Sequence, residues 1–179
     1  MSMNITYKNF KITPLNVVES EKLFNLIDSN RKRLEDFFSG TVSKTKTLHD
    51  TIIYCREIEQ KVLDKSYFPF IISDLNTNAF IGLIHVFNMD WNIPKAEIGY
   101  FIDAKYEGQG VISKSLDLTI EYLSEVYQFK KLLCRANSNN VGSIVVAKKN
   151  GFIFEGTIKK DYKTTKGVIV DLDYYGRVF

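Results

Sequence analysis

The stretch Tyr106-Glu107-Gly108-Gln109-Gly110-Val111-Ile112-Ser113-Lys114 decides how this chain is read. Before it, Lys95 to Asp103 reads as a strand whose core is Ile98-Gly99-Tyr100-Phe101-Ile102. After it, Ser113 to Tyr127 carries Leu116, Ile120, Leu123 and Val126 on one helical face. Lys131 to Ala136 is a short second strand. Strand, helix, strand in that order predicts a right-handed parallel crossover. Gly108 and Gly110 let the backbone turn sharply and come close to a ligand. The helix that follows opens with N–H groups that lack partners within the helix and with a positive dipole end, a setting for phosphate. A Gly-x-Gly pair also serves plain turns. Two other phosphate loops are excluded. The Walker spacing is absent, and Ser113 stands where the dinucleotide fingerprint needs its third glycine.

Outward from this unit the pattern continues. Val141 to Lys149 is a helix that ends at Gly151, a C-cap glycine. Phe152 to Lys160 and Val168 to Tyr175 are closing strands about the turn at Thr165, Lys166 and Gly167. Upstream, Tyr67–Asp74 and Ala79–Phe87 are apolar runs on either side of the turn Asp74-Leu75-Asn76-Thr77-Asn78, which reads as a hairpin. Thr47 to Leu63 is a helix with Leu48, Ile52, Cys55, Ile58 and Val62 spaced by three or four; Thr47 caps it, with Asp50 three residues on. Leu15 to Asp28 is a helix with Val18, Leu23, Leu26 and Ile27 on its apolar side. Arg31 to Phe38 reads as a shorter helical piece stopped by Gly40. Lys11 to Thr13 ends a short strand that Pro14 breaks. No repeat or linker interrupts the chain, so residues 1–179 read as a single mixed α/β domain around one sheet.

Composition narrows the function classes. The chain has 179 residues, long enough for a sizeable core, and its 45% hydrophobic content with 13 Phe and 10 Tyr argues against disorder. A net charge of +3, with no basic tail, gives no electrostatic footprint for nucleic acid. No apolar run reaches the roughly 20 residues of a membrane span, and Met1 to Phe10 lacks the apolar stretch of a signal peptide. Cys55 and Cys134 form no CxxC pair, and with only His49 and His85 no metal motif exists. The expectation is a cytoplasmic protein with two reduced thiols and no metal.

In sum, these residues resemble the GNAT superfamily of N-acetyltransferases, and more narrowly its ribosomal-protein branch. That superfamily carries an acyl-CoA loop of the form Gln/Arg-x-x-Gly-x-Gly/Ala; the matching stretch here is Glu107 to Ile112, with Gly110 on the central glycine and departures at Glu107 and Ile112. Some members of the branch have Glu-Gly-Lys-Gly-Ile-Ile in this place. Ala96-Glu97-Ile98-Gly99-Tyr100-Phe101-Ile102 resembles the branch's preceding strand. Asn140-Val141-Gly142-Ser143 followed by Lys149-Asn150-Gly151-Phe152 resembles its Asn-x-x-Ser … Lys-x-Gly-Phe helix, and Glu155-Gly156 and Asp173-Tyr174-Tyr175-Gly176 match its closing strands. The likeness runs from about Phe10 to Phe179.

The resemblance implies a mostly antiparallel sheet with a central parallel strand pair, flanked by helices. It implies acetyl-CoA as co-substrate and an amine acceptor: a protein N-terminus, or a small amine such as a polyamine, an amino acid or an antibiotic. A homodimer is common among relatives. The cofactor's pantetheine arm would pair with the backbone of Phe101 and Ile102. Its pyrophosphate would sit on the loop from Glu107 through Gly108, Gln109, Gly110, Val111 and Ile112 to Ser113. Asn140 would bond the arm, cap the helix from Val141, or do both. Many members place a tyrosine acid seven residues after this Asn; here that place is Ala147. Its absence keeps open a domain that binds acyl-CoA as a sensor without turnover.

Acetyl transfer to an amine needs a base for the amine and a proton for the leaving thiolate. Glu97 is the first candidate base, because alternation puts it on one strand face with Gly99 and Phe101; its other reading is a solvated or ion-paired strand residue. His85 is the second candidate, or a packed strand histidine. Ser143 replaces the missing tyrosine as proton donor, or is an ordinary first-turn helix serine. Neither cysteine has a base nearby in sequence, so direct attack is preferred to an acyl-cysteine. Lys148 and Lys149 reach the 3′-phosphate or form a solvated face. Tyr100 and Trp91 line the acceptor pocket or belong to the core. Asp173 points into the site or meets a neighbouring chain. Glu35, Asp36 and Glu97 would make an acidic pocket for a cationic acceptor.

Overall fold

The computed structural model describes residues 3–179; Met1 and Ser2, the start of the polar N-terminal segment, lie outside the described residues. The chain builds one eight-stranded sheet in the order β1-β2-β3-β4-β5-β6-β8-β7. The strands are β1 (Ile5–Tyr7), β2 (Phe10–Pro14), β3 (Phe68–Asp74), β4 (Ala79–Asp90), β5 (Lys95–Ile102), β6 (Lys131–Ala136), β7 (Ile153–Lys163) and β8 (Ile169–Val178). Every neighbouring pair is antiparallel except β5 and β6. The helices are α1 (Ser20–Leu34), α2 (Ser39–Lys44), α3 (Leu48–Leu63), α4 (Val111–Tyr127) and α5 (Val141–Lys149). The expected crossover is present: β5 passes through α4 into a parallel β6.

Alternation along β5 serves two cores. Ile98, Tyr100 and Ile102 pack with Leu116, Ile120 and Leu123 of α4, while Phe101 faces Leu23, Leu26 and Ile27 of α1 and Cys55 of α3. Each fully buried Leu or Ile in these layers contributes about 1.5–3 kcal/mol of transfer free energy. Of the α4 face read from the sequence, Val126 stays 42% exposed. Tyr127, four residues after Leu123, takes its place on the inner face and stacks on Phe68 of β3 at 4.5 Å.

The position of the site follows from one register. β5 and β6 pair only at Lys95↔Lys131, Ala96↔Leu132 and Glu97↔Leu133. Beyond Glu97, β5 keeps its partner β4 and β6 keeps β8, so the two parallel strands part and a cleft opens between their C-terminal ends. Open α/β sheets place ligands in such crevices.

Three readings need correction. The helix expected from Leu15 begins at Ser20, because Asn16 caps a separate 3-10 turn by accepting from the Val18 N–H; Val18 is 81% exposed. The segment from Arg31 is no separate helix: α1 runs unbroken to Leu34, and Gly40 lies inside α2. Ser29 and Asn30 look like breakers, but both donate back to the Leu26 carbonyl and so stay helical. The closing strands also extend further than expected, to Lys163 and Val178. The irregular register from Ile158 to Tyr162, with Lys160 at φ 54°, hides the alternation there. The three-residue β1 gave no signal of its own. The cap at Thr47 forms as a full capping box with Asp50.

Candidate active site

Two hollows meet at the divergence of β5 and β6. The larger, about 680 Å³, is walled by Phe101 and Ile102 of β5, Gly108, Gly110, Ile112 and Ser113 of the loop and α4, and by α1 and α5. The smaller, about 250 Å³, lies around His85, Glu97, Gly99 and Arg135. Phe37, Phe38, Tyr100, Asn140 and Ser143 line both, so the hollows adjoin across a shared wall.

The larger hollow has the features of an anion-binding cleft. Gly108 and Gly110 have φ of +72° and +75°, the left-handed region that glycine enters without a Cβ penalty. Space beside both is open. Gly110 is the N-cap of α4, and no side chain caps that helix, so its first-turn amides are available to an anion. Lys32, Arg33 and Lys149 add positive charge to the walls. Lys148 is not in the walls, so of the lysine pair only Lys149 reaches this site.

The expected cofactor residues are not equivalent. Phe101, Ile102, Gly108, Gly110, Ile112 and Ser113 line the hollow. Gln109 lies outside it and donates to the Lys105 carbonyl, and the Val111 side chain is buried in the core. Ser113 Oγ accepts from Asn150 at 3.1 Å. Glu107 lines the hollow, but its carboxylate forms an ion pair with Arg33 of α1. Asn140 Oδ1 accepts from the Ser143 N–H at 3.3 Å, which is the N-cap role, while the residue also lines the hollow. Ser143 stands on the shared wall, where its carbonyl accepts a 2.7 Å bond from the Tyr100 hydroxyl.

In the smaller hollow Glu97 is oriented from two sides. Asn88 donates to its Oε1 at 2.9 Å, and Arg135 Nε sits 2.6 Å from its Oε2. A carboxylate has about four acceptor positions, so capacity for a substrate proton remains. Arg135 extends to Asp161 at 3.5 Å, and Tyr174 donates to Asp161 at 2.7 Å. Thus β5, β6, β7 and β8 are linked behind the pocket. Asp173 takes no part: it accepts from Thr157 and does not line the hollow.

His85 crosses over Gly99, its register partner. Its Nδ1 is 2.6 Å from the Tyr67 hydroxyl, and its ring stacks on Phe38 at 5.4 Å. Burial lowers its pKa to about 4 from an ordinary 6.5, so the ring is neutral near pH 7. The unfolded chain therefore binds a proton between these values that the folded chain refuses. Stability is expected to fall as pH drops from about 6.5 to about 4, by up to ~3 kcal/mol. Urea denaturation at a series of pH values checks this, and the His85→Gln protein should lack that part of the slope.

Sequence reasoning missed several walls. Phe37, Phe38 and Phe87 make an aromatic lining, and Tyr162 arrives from β7 to donate to Ser39 Oγ at 2.7 Å. Only Arg135 had a usable signal: it lies two residues beyond the Glu97↔Leu133 pair on the adjacent strand. Trp91 is not in the pocket; it stacks on Phe129 at 5.2 Å. Glu35 also lies outside both hollows, while Asp36 lines them and pairs with Lys166 at 3.4 Å. Burial raises both cysteine pKa values to about 11, which leaves the thiols protonated. Among the described residues no cluster of His, Cys, Asp or Glu is placed to hold a metal, and no helix is long and apolar enough to cross a membrane.

Known proteins resemble this chain in sequence and fold. Residues 10–153 match the acetyltransferase (GNAT) domain family. A putative ribosomal N-acetyltransferase of Bacillus subtilis is 30% identical over 159 residues, 88% of this chain and 84% of that protein. The ribosomal-protein-serine acetyltransferase of Escherichia coli is 26% identical, over 87% of this chain and 85% of its own length. A ribosomal L7/L12 α-N-protein acetyltransferase solved with coenzyme A superposes with a TM-score of 0.90 at 18% identity, covering 100% of this chain and 98% of that one. With the family's domain matched over most of the length, the chain belongs to the GNAT acetyltransferases.

Proposed function

We propose that this protein transfers the acetyl group of acetyl-CoA to the α-amine of a protein N-terminus, of the ribosomal-protein type, by direct attack. The observation that carries this reading is the adjacency of two hollows: one walled by the glycine loop shares its Ser143 wall with a chamber that holds Glu97. Bound acetyl-CoA supplies the activated thioester. Glu97 takes the amine proton directly or through water, and Ser143 hydrogen-bonds or protonates the departing thiolate. The raised thiol pKa values of Cys55 and Cys134 argue against a covalent acyl-enzyme.

The acceptor class follows from charge and proton affinity. The acids of the chamber are already paired, Glu97 with Arg135 and Asp36 with Lys166, so little uncompensated negative charge is left for a polyamine. An α-amine has an ordinary pKa near 7.7–8.0 against about 10.4 for an alkyl ammonium. Deprotonating it costs about 3 kcal/mol less at neutral pH, which asks less of a carboxylate base. The names of the two curated relatives point the same way. Thiol release should be measured with N-terminal peptides of ribosomal proteins, spermidine and free amino acids. Peptides are expected to exceed spermidine at least about tenfold in kcat/KM, a difference of ~1.4 kcal/mol in transition-state binding. Faster turnover of spermidine would overturn the acceptor assignment, and acetyl-CoA binding with no thiol release on any amine of the panel would favour a sensor.

A further inference from the structure

We propose that Arg33, at the end of α1, binds the diphosphate of acyl-CoA, and that Glu107 competes with that diphosphate for the guanidinium. The inference rests on the reading of the larger hollow as the acyl-CoA cleft. Arg33 lines that hollow, and its contacts are unusual for a helix-end cation. Nη1 donates to Asn30 Oδ1 at 2.7 Å and to the Ile102 carbonyl at 3.4 Å, and Nη2 pairs with the Glu107 carboxylate. The guanidinium therefore lies between the last residue of β5 and the residue that precedes Gly108. Both neighbours belong to the cofactor's expected track.

A purely structural role explains little. The Arg33–Glu107 pair is solvent-exposed, at 41% and 54% of the side chains, and exposed pairs contribute little to stability. Asn30 already ties α1 to this corner. It is buried, donates to Asp103 Oδ2 at 3.0 Å and accepts from the Ala104 N–H at 3.2 Å. Electrostatics supplies the missing reason. Glu107 puts a negative charge on the rim of a loop shaped for phosphate, next to first-turn amides of α4. An anion arriving there meets like charge unless a cation covers it. Arg33 is positioned to do so, and its planar fork suits phosphate oxygens as well as carboxylate. Lys32 and Lys149 line the same hollow and add to the field without contacting Glu107. The loop thus carries an acid where many relatives have glutamine or arginine, and α1 returns the positive charge from outside the loop.

The test breaks the same ion pair from each side. Acetyl-CoA affinity is measured by calorimetry for the unaltered protein, Arg33→Ala and Glu107→Gln. S-acetylpantetheine, which carries the thioester arm without phosphate, is titrated by NMR against the same three proteins. Thermal melts confirm that all are folded. Arg33→Ala is expected to weaken acetyl-CoA about 10- to 100-fold and to leave S-acetylpantetheine within about twofold, as loss of a charge-assisted bond to phosphate requires. Glu107→Gln is expected to tighten acetyl-CoA severalfold. Equal weakening by both variants, or equal loss of both ligands on Arg33→Ala, would show a structural tie and overturn the proposal. Failure of the unaltered protein to bind acetyl-CoA overturns the acyl-CoA reading itself, and this assignment with it.

Discussion

Glu97→Gln is expected to lower kcat by about 10²- to 10⁴-fold while acetyl-CoA binds as before. That loss is about 3–5 kcal/mol of transition-state stabilisation, the largest effect expected of any isosteric change in this chain. Glutamine keeps the shape: its one carbonyl oxygen can face Arg135 while its NH2 group turns to Asn88, whose side-chain amide can flip to accept, although the charge of the ion pair is lost. It cannot take a proton. The deficit should therefore shrink as pH rises past the acceptor's own pKa, where free amine no longer needs a base. Steady-state thiol release across pH, beside calorimetry of acetyl-CoA, separates the cases. A variant within about threefold of the unaltered enzyme would remove Glu97 from the chemistry and leave water or the neutral His85. Loss of acetyl-CoA binding along with rate would mean that the ion pair with Arg135 shapes the cleft instead.

Gly99→Ala comes second in size and reads out in stability. A Cβ on Gly99 would lie 2.3 Å from His85 Nε2 and 2.8 Å from its Cδ2. A mobile side chain would swing away, but this one is hemmed in. Phe38 stacks on one face, Phe87 is 4.9 Å away, and Tyr67 holds Nδ1. Overpacking of this kind costs about 1–3 kcal/mol, and a broken Tyr67–His85 bond about 1 more. The expected total of about 2–4 kcal/mol lowers Tm by roughly 5–15 °C for a chain of this size. Calorimetric melting tests it, and His85→Ala in the same chain should return most of the loss, because the clash then has no partner. If the double variant melts as low as the single one, the clash is not with His85.

The glycines of β5 and of the cofactor loop show what could be read from the sequence alone. Gly108 and Gly110 announce themselves by spacing, between a strand and a helix whose apolar period is clear. The same is true of Lys131–Ala136 and Val141–Lys149, where Asn140 and Gly151 punctuate the chain and the ends agree to the residue. Gly99 is different. Nothing local explains why it is glycine, since the group that needs the room sits on the neighbouring strand. The same limit hid the aromatic wall. Phe38 and Tyr162 meet across more than 120 residues of sequence through Ser39, and no motif links α1–α2 to β7. Arg33 passed unmarked within the segment Arg31 to Phe38, because its partners Ile102 and Glu107 come from β5 and the loop beyond it. Local punctuation and period gave the elements; contacts between distant strands and helices gave the chamber.

The central claim is that the parting of β5 and β6 beyond Glu97 is an acetyl-CoA site feeding an amine acceptor. Calorimetric titration of the unaltered protein with acetyl-CoA, followed in the same sample by thiol release on adding an N-terminal peptide, tests it most directly. The account predicts one-to-one binding and peptide-dependent release of coenzyme A, with the acetyl group on the peptide's α-amine by mass spectrometry. Absence of binding would contradict it, because the glycine loop at Gly108 and Gly110 would then be a turn and nothing more.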